Sequence, residues 1–124
     1  MTFTEAMFKG QSPYNNPYQG NDKKVLFVCS AGILRSATAA RIYAKKYNTR
    51  CAGSMAYALI PVTHELVLWA DTIVFVNKEN YEETNKHFRL EEFPCLVKVL
   101  DIPDQYEHMH PELVKHFEEQ FEVI

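Results

Sequence analysis

Short apolar runs alternate with longer segments along the chain. The runs read VLFVC, TRCAG, TIVFVN and LVKVLDI, and each is bounded by polar or turn-forming residues. The segments between them have helical spacing, and such alternation is typical of β-α units that build a parallel sheet. Four units in succession predict an α/β fold, a three-layer doubly wound sandwich with a four-stranded parallel sheet between helices.

Apolar residues three or four positions apart predict the helices. After the first strand, one helical face would consist of Ala40, Tyr43, Ala44 and Tyr47. Two further helices are predicted over residues 61–69 and 79–88, with Trp69 packed in the core. The last helix would begin at Pro111, because proline suits the first helical turn. Its buried stripe would contain Leu113, Val114, Phe117 and Phe121.

The chain divides into two parts. Residues 1–22 have little periodicity, and the stretch QSPYNNPYQGND is rich in Pro, Asn and Gly, so we expect an extended or loosely packed arm. Residues 23–124 would form one α/β domain, as the length of 124 residues allows. Tyr14 and Tyr18 of the arm could cover a cleft, become phosphorylated or bind a partner, and a simple leader or strap fits equally well.

Charge and hydropathy restrict the partners and the location. Sixteen acidic and 13 basic residues give a net charge of −3, which does not favour nucleic acid or an anionic membrane as a partner. The first residues contain no apolar run typical of a signal peptide, and no segment has the roughly 20 apolar residues of a membrane helix. We therefore expect a cytoplasmic protein. Its oligomeric state stays open.

The cysteines and histidines do not indicate a metal centre. Cys29, Cys51 and Cys95 are odd in number and widely spaced, which suits neither a disulfide framework nor a zinc site. The pair His108 and His110 lacks the spacing of a closed metal site, and His110 followed by proline is typical of a helix start. No metal and no cofactor are expected.

The segment CSAGILRS, residues 29–36, joins the first strand to a helix. Backbone N–H groups at a helix N-terminus suit a phosphate-sized anion, and their field favours a thiolate at Cys29. Arg35 could bind two oxygens with its planar guanidinium, and Ser36 could donate a hydrogen bond to the sulfur. Gly32 allows the positive φ of a tight anion-binding turn. The predicted phosphate-binding residues are Ser30, Ala31, Gly32, Ile33, Leu34, Arg35 and Ser36.

The spacing Cys29-x5-Arg35-Ser36 resembles the signature of the cysteine-dependent protein tyrosine phosphatases. Its place on the first strand resembles the low-molecular-weight class. The loop also satisfies the CxxGxxR form of the dual-specificity phosphatases, but those enzymes place the acid loop before the cysteine. Here the segment IPDQY, residues 102–106, follows it and is similar to the late Asp-Pro-Tyr loop of the low-molecular-weight family, with Gln105 in place of proline. The resemblance extends roughly from residue 23 to the C-terminus.

This resemblance implies a role for four residues. Cys29 would be the nucleophile, Arg35 would bind phosphate, Asp104 would be the general acid and Tyr106 would line the substrate pocket. Asp101, three residues upstream of Asp104, is a rival acid.

The sequence also departs from the family. Gly32 stands where the family commonly has an asparagine that braces the loop, and Leu34 stands where many members have a second cysteine. The loop therefore lacks the partner thiol that would rescue an oxidised nucleophile by forming a reversible disulfide.

The expected activity is a protein tyrosine phosphatase that hydrolyses aryl phosphate monoesters, in phosphotyrosine proteins or small molecules, through a cysteinyl phosphate. One alternative is a phosphate-binding interaction module with little turnover, although binding phosphate gains nothing from an acid such as Asp104. Another is an arsenate reductase, which needs resolving thiols near the nucleophile. Cys51 and Cys95 form no paired motif for that purpose.

Overall fold

The computed structural model describes residues 23–32 and 34–121. Its strands form one sheet in the order β2-β1-β3-β4, and every neighbouring pair is parallel. The strands are β1 (Lys24–Cys29), β2 (Asn48–Gly53), β3 (Thr72–Phe75) and β4 (Leu96–Val99). The predicted α/β sandwich with a four-stranded parallel sheet is confirmed.

Helices cover both faces of this sheet. They are α1 (Arg35–Ile42), α2 (His64–Trp69), α3 (Lys78–Phe88) and α4 (Pro111–Gln120), with a short 3-10 helix at Leu90–Glu92. Helices α1 and α4 contribute to the hydrophobic core on one face, and α2 and α3 contribute to the core on the other. These helices make the two outer layers of the sandwich.

Strand β1 lies inside the sheet and is buried on both faces. Val25 and Phe27 point into the core shared with α1 and α4, whereas Leu26 and Val28 point into the core shared with α2 and α3. The ring of Phe27 packs edge-on against Phe117 at a centroid distance of 6.3 Å. A strand with two buried faces needs apolar residues at successive positions, which explains the run VLFV.

Two helices are shorter than predicted. Helix α1 ends at Ile42 and the chain turns over residues 43–46, because it must reverse before β2 begins at Asn48. Of the predicted helical face, Ala40 therefore lies in α1, whereas Tyr43, Ala44 and Tyr47 follow the end of the helix. Tyr47 is nevertheless buried. Helix α2 begins at His64 rather than at residue 61, since the Thr63 side chain accepts a hydrogen bond from the Leu66 N–H and caps the helix there.

The remaining elements agree with the sequence apart from their ends. Trp69 is buried in the core, as predicted. Strand β4 ends at Val99, before the predicted end at residue 102, but the chain stays beside β3, since the Ile102 N–H donates to the Val76 carbonyl. The predicted helix start at Pro111 is confirmed, and the His110 ring accepts a hydrogen bond from the Glu112 N–H.

The predicted arm, residues 1–22 with Tyr14 and Tyr18, lies outside the described residues, as does Ile33 of the loop. None of the helices in the described ranges combines the length and apolar character required to cross a membrane.

Candidate active site

Residues 29–36 leave the carboxyl end of β1 and lead into α1. Strand β1 lies between β2 and β3, so the chain moves to one side of β1 for the second strand and to the other side for the third. In parallel α/β sheets, ligands bind beyond the carboxyl ends of the strands at this kind of switch point. The loop predicted to bind phosphate therefore occupies the expected binding edge of the sheet.

Two glycines allow the loop to pack against the end of β2. Gly32 has a φ of +85°, and a Cβ there would lie 2.8 Å from the carbonyl carbon of Ala52. A Cβ at Gly53 would lie 2.5 Å from the Ser30 carbonyl oxygen. Both distances are shorter than real Cβ contacts, so any larger residue must displace backbone. The glycines thus bring the loop and β2 into direct contact.

The Cys29 sulfur lies within hydrogen-bond distance of two groups of its own loop. The Gly32 N–H donates to Sγ at 3.2 Å, and the Ser36 hydroxyl lies 3.0 Å from the same atom. Ser36 Oγ is also 3.4 Å from the Ala52 carbonyl. When Cys29 is a thiolate, the Ser36 proton can turn from that carbonyl towards the sulfur. The Gly32 N–H and the Ser36 hydroxyl can thus both donate to the Cys29 sulfur.

Arg35 is almost completely buried, with 1% of its surface exposed. Its Nη1 donates to the Ile102 carbonyl at 2.9 Å, and its Nη2 donates to the Ser30 hydroxyl at 3.1 Å. A buried guanidinium is costly unless its donors are engaged and its charge is compensated. These two bonds join the loop after β1 to the segment after β4.

Asp104 provides the nearby carboxylate. Its Oδ1 is 3.6 Å from Arg35 Nε, and its side chain is 62% exposed, whereas that of Arg35 is 2% exposed. The carboxylate therefore contacts both the buried cation and solvent. A cavity of about 190 Å³ lies at this point and is lined by Cys29, Ser30, Ala31, Leu34, Arg35, Tyr57 and Asp104. It is smaller than the roughly 300–1,000 Å³ of drug-sized ligand pockets, so it suits a small group.

Helix α1 presents its N-terminus next to this cavity. Leu34 provides no side-chain cap, and the first turn contains no acidic residue. The first backbone N–H groups of a helix have no acceptor within the helix and carry partial positive charge. Together with the Arg35 cation, they make the cavity a favourable place for an anion.

Helix α1 also holds the segment that carries Asp104. Thr38 Oγ1 accepts a hydrogen bond from the Met109 N–H at 2.8 Å and lies 3.4 Å from His108 Nδ1. At the start of the segment, Gln120 of α4 exchanges two hydrogen bonds with the backbone of Asp101. The segment is therefore fixed at both ends.

The structure brings most of the predicted site residues together. Six residues of the predicted loop either line the cavity with Cys29 or lie within hydrogen-bond distance of its sulfur: Ser30, Ala31, Gly32, Leu34, Arg35 and Ser36. Of the two candidate acids, Asp104 lines the cavity, whereas Asp101 is exposed and its backbone bonds to Gln120.

Tyr106 is not brought into this cavity lining. Its hydroxyl lies 3.2 Å from His116 Nε2 on α4, and its ring packs near His110 at a centroid distance of 5.2 Å. Of the described residues, the lining contains one aromatic side chain, that of Tyr57 from the segment after β2. The tyrosine identified from the resemblance thus connects the segment that carries Asp104 to α4 through His116.

Sequence reasoning missed three residues of the site, Tyr57, Ser54 and Asn80. Asn80 Nδ2 donates to Ser54 Oγ at 3.0 Å and to Ser30 Oγ at 3.3 Å. A signal for the last two existed, because Ser54 follows β2 and Asn80 follows β3 closely. Polar residues just beyond neighbouring parallel strands converge at one edge of the sheet.

The other two cysteines lie away from the cavity. Cys51 is buried in the core on the α1 and α4 face, and Cys95 packs against the core on the opposite face. Burial raises the pKa of the Cys95 thiol. Within residues 23–32 and 34–121, no three His, Cys, Asp or Glu side chains are grouped so that they could hold a metal ion.

Comparison of the chain with models of known families, with curated proteins and with solved structures finds no match. The functional argument therefore depends on the residues and the geometry of the site.

Proposed function

We propose that this protein is a phosphatase that hydrolyses aryl phosphate monoesters, with phosphotyrosine as the substrate class, through a cysteinyl-phosphate intermediate. One observation carries the proposal. The Cys29 sulfur accepts a hydrogen bond from the Gly32 N–H and lies 3.0 Å from the Ser36 hydroxyl, at a cavity that Arg35 and Asp104 also line. A nucleophile, a phosphate-binding cation and a proton donor are thus available to one small group.

In the first step, the Cys29 thiolate attacks phosphorus in line with the ester oxygen. The S–P bond forms as the P–O bond to the aryl group breaks, and the equatorial oxygens are stabilised by loop N–H groups and Arg35. Protonated Asp104 gives its proton to the departing phenolate. Proton transfer of this kind contributes typically 10²–10⁴-fold to the rate.

In the second step, water replaces the thiolate on phosphorus. The Asp104 carboxylate, now ionised, takes a proton from the water as the new P–O bond forms and the S–P bond breaks. The sulfur leaves with the bonding electrons, and the Ser36 hydroxyl, 3.0 Å away, can donate a hydrogen bond to the thiolate that appears. Inorganic phosphate is released and the enzyme is restored.

The entrance of the cavity favours an aromatic leaving group. Tyr57 is 66% exposed and Leu34 is 39% exposed, although both line the cavity. Exposed aromatic and apolar side chains beside an anion site can pack against the ring that carries the phosphate. This supports aryl phosphates over small aliphatic phosphates as substrates.

Two other functions fit the site less well. A phosphate-binding module would not need a carboxylate 3.6 Å from its arginine, since that charge competes with phosphate for the guanidinium. An arsenate reductase needs a second thiol at the adduct, and the residues that line the cavity include Cys29 as their one cysteine. The proposed reaction also needs Cys29 reduced, and we place it in the cytoplasm because that compartment keeps thiols reduced.

The test compares hydrolysis of an aryl phosphate near pH 6 by the wild type and by Cys29→Ser, without added metal. We expect turnover by the wild type and none by Cys29→Ser. Cys95→Ser is the matched control, because Cys95 lies on the opposite face of the sheet, and it should retain full activity. A wild type that binds phosphate or vanadate without turnover would leave the binding module as the function.

A further inference from the structure

Asn80 connects three segments at the carboxyl edge of the sheet. It lies in the first turn of α3, and only 1% of its surface is exposed. Its Nδ2 lies within hydrogen-bond distance of Ser30 Oγ in the loop and of Ser54 Oγ after β2. A side-chain amide nitrogen has two protons, so it can donate to both hydroxyls at once.

The amide of Asn80 acts as a donor. Within the described part of the chain, its Oδ1 is buried and has no hydrogen-bond partner. Burying an oxygen that has no hydrogen-bond partner costs free energy. The hydrogen bonds that the two N–H groups of Asn80 donate must offset this cost. The partners of the N–H groups should therefore show what Asn80 does.

Ser30 is the partner that reaches the proposed active site. Its Oγ accepts from Asn80 Nδ2 and also from Arg35 Nη2 at 3.1 Å. A hydroxyl oxygen has two acceptor lone pairs, and these two donors occupy both. The single proton of Ser30 is then free to point elsewhere, and Ser30 lines the 190 Å³ cavity.

We propose that Asn80 is a positioning residue of this site: by donating to Ser30, it directs the Ser30 hydroxyl as a hydrogen-bond donor to the bound phosphoryl group and holds the Arg35 guanidinium in the loop. This inference rests on the proposed phosphatase function and adds a donor to it. Without Asn80, Ser30 has a free lone pair, its proton is no longer directed and Arg35 loses a fixed acceptor.

The position of Arg35 explains why this matters. Among the described residues, three groups contact its guanidinium, namely the Ile102 carbonyl, Ser30 Oγ and the Asp104 carboxylate. Ser30 is the one that belongs to the phosphate loop itself. When Ser30 is not fixed, its hydrogen bond with Arg35 no longer opposes the attraction between Arg35 and the Asp104 carboxylate. The guanidinium then moves towards Asp104 and away from the phosphoryl oxygens.

A double-mutant cycle tests this coupling. Asn80→Ala and Ser30→Ala should each lower kcat/KM for an aryl phosphate by about tenfold, which corresponds to one hydrogen bond to a charged group. Because Asn80 acts through Ser30, the double variant should fall little further than either single variant. Ser54→Ala keeps the bond from Asn80 to Ser30 and should lower kcat/KM less than Asn80→Ala does.

Two further measurements, the unfolding temperature and the rate of Cys29 alkylation, separate a positioning role of Asn80 from a merely structural one. Asn85→Ala is the matched control. Asn85 lies on the same helix as Asn80, but its Oδ1 accepts a hydrogen bond from the Leu90 N–H, which does not belong to the loop. It should lower the unfolding temperature without changing kcat/KM. The rate of Cys29 alkylation at fixed pH should be unchanged in Asn80→Ala, since no hydrogen bond joins Asn80 to the sulfur.

The outcomes distinguish this inference from the proposed function. If the wild type is active, two results would overturn the role of Asn80 through Ser30. One is an unchanged kcat/KM in Asn80→Ala. The other is a double variant whose loss of kcat/KM equals the product of the losses in the two single variants. If the wild type does not turn over, orthovanadate binding serves as the readout. Binding weakened about tenfold in Asn80→Ala supports the positioning role, as expected for one lost hydrogen bond. Equal binding, or none by the wild type, overturns it.

Discussion

The hydroxyl of Ser36 lies 3.0 Å from the sulfur of Cys29, and both residues are buried. The two side chains come from opposite ends of one loop, at the last position of β1 and near the start of α1. Their contact means that the helix can supply a hydrogen-bond donor to a Cys29 thiolate.

Replacement of Ser36 by alanine should slow both the formation and the breakdown of the intermediate. A hydrogen bond to a charged group is worth about 1.5–3 kcal/mol, so we expect kcat to fall at least about tenfold and Cys29 alkylation at fixed pH to slow by a similar factor. Steady-state kinetics and labelling with iodoacetamide measure the two effects.

The control for this change is Thr63→Ala, which removes a hydroxyl that caps α2. It should lower stability while leaving Cys29 alkylation unchanged. Equal alkylation rates in Ser36→Ala and the wild type would show that Ser36 does not stabilise the thiolate.

Asp104→Asn should affect poor leaving groups far more than good ones. A general acid supplies roughly 10²–10⁴-fold when the leaving group needs a proton, so phenyl phosphate hydrolysis should fall by that range and a nitrophenyl ester should lose much less. Asp101→Asn should stay near wild type with both substrates, because Asp101 does not line the cavity. If Asp101→Asn loses more activity than Asp104→Asn, then Asp101 rather than Asp104 is the general acid.

Arg35→Lys should nearly abolish activity even though it keeps the positive charge. Lysine cannot reproduce the planar arrangement that reaches the Ile102 carbonyl, Ser30 and a phosphoryl group together. Loss of a transition-state donor typically costs about 10²–10³-fold in kcat. The exposed Arg41 on the same helix provides the matched control, and Arg41→Lys should be indistinguishable from the wild type in kcat/KM.

Gly32→Ala should destabilise the fold as well as the loop. The φ of +85° is unfavourable for alanine, and the new Cβ would meet the Ala52 and Gly53 backbone at 2.8 Å. Backbone strain of this type costs about 1–3 kcal/mol, which a urea unfolding curve resolves. Ala31→Gly adds no atom to the same loop and should cost less. Equal unfolding midpoints for Gly32→Ala and the wild type would contradict the need for glycine.

Glu83 gives a pH-dependent test of α3. The hydrogen bond from Lys86 and the positive charge of Lys86 hold the pKa of the partly exposed Glu83 carboxyl below its usual range, and His87 contributes further. A lowered pKa in the folded state stabilises the fold above the pKa of the unfolded chain, and this contribution is lost as the pH falls through the folded value.

The unfolding temperature of Glu83→Gln should therefore lie slightly below that of the wild type near neutral pH, and the difference should vanish in acid. Glu82→Gln, at an exposed neighbour, should show a smaller change. A difference that persists at low pH would mean that the ion pairs do not cause it.

The sequence was sufficient for the order and type of the main elements, since β1 and α4 depend on local apolar patterns. It failed at the ends of α1 and β4. Tyr43 and Tyr47 keep the predicted spacing, but a turn places them beside Phe121, with centroid distances of 4.8 and 6.3 Å. Periodicity predicts which residues become buried, and the need to enter the next strand decides where the helix stops.

The residues of the candidate site likewise divide into those that the sequence predicts and those that only the fold brings together. Cys29, Gly32, Arg35 and Ser36 are within eight consecutive positions, so their chemistry could be read from one short segment. Asn80 is 50 positions from its partner Ser30, and only the folded sheet brings them together. Tyr106 is close to Asp104 in sequence, and its hydroxyl lies 3.2 Å from His116 on α4, so its place in the substrate pocket stays a prediction.

The hydrogen bond from Arg35 to the Ile102 carbonyl spans 67 positions. During synthesis, the loop therefore leaves the ribosome long before the segment that completes it, and a partly made chain holds the cysteine and the arginine without their final partners. The proposed catalytic site would therefore be complete only late, after β4 has joined the sheet.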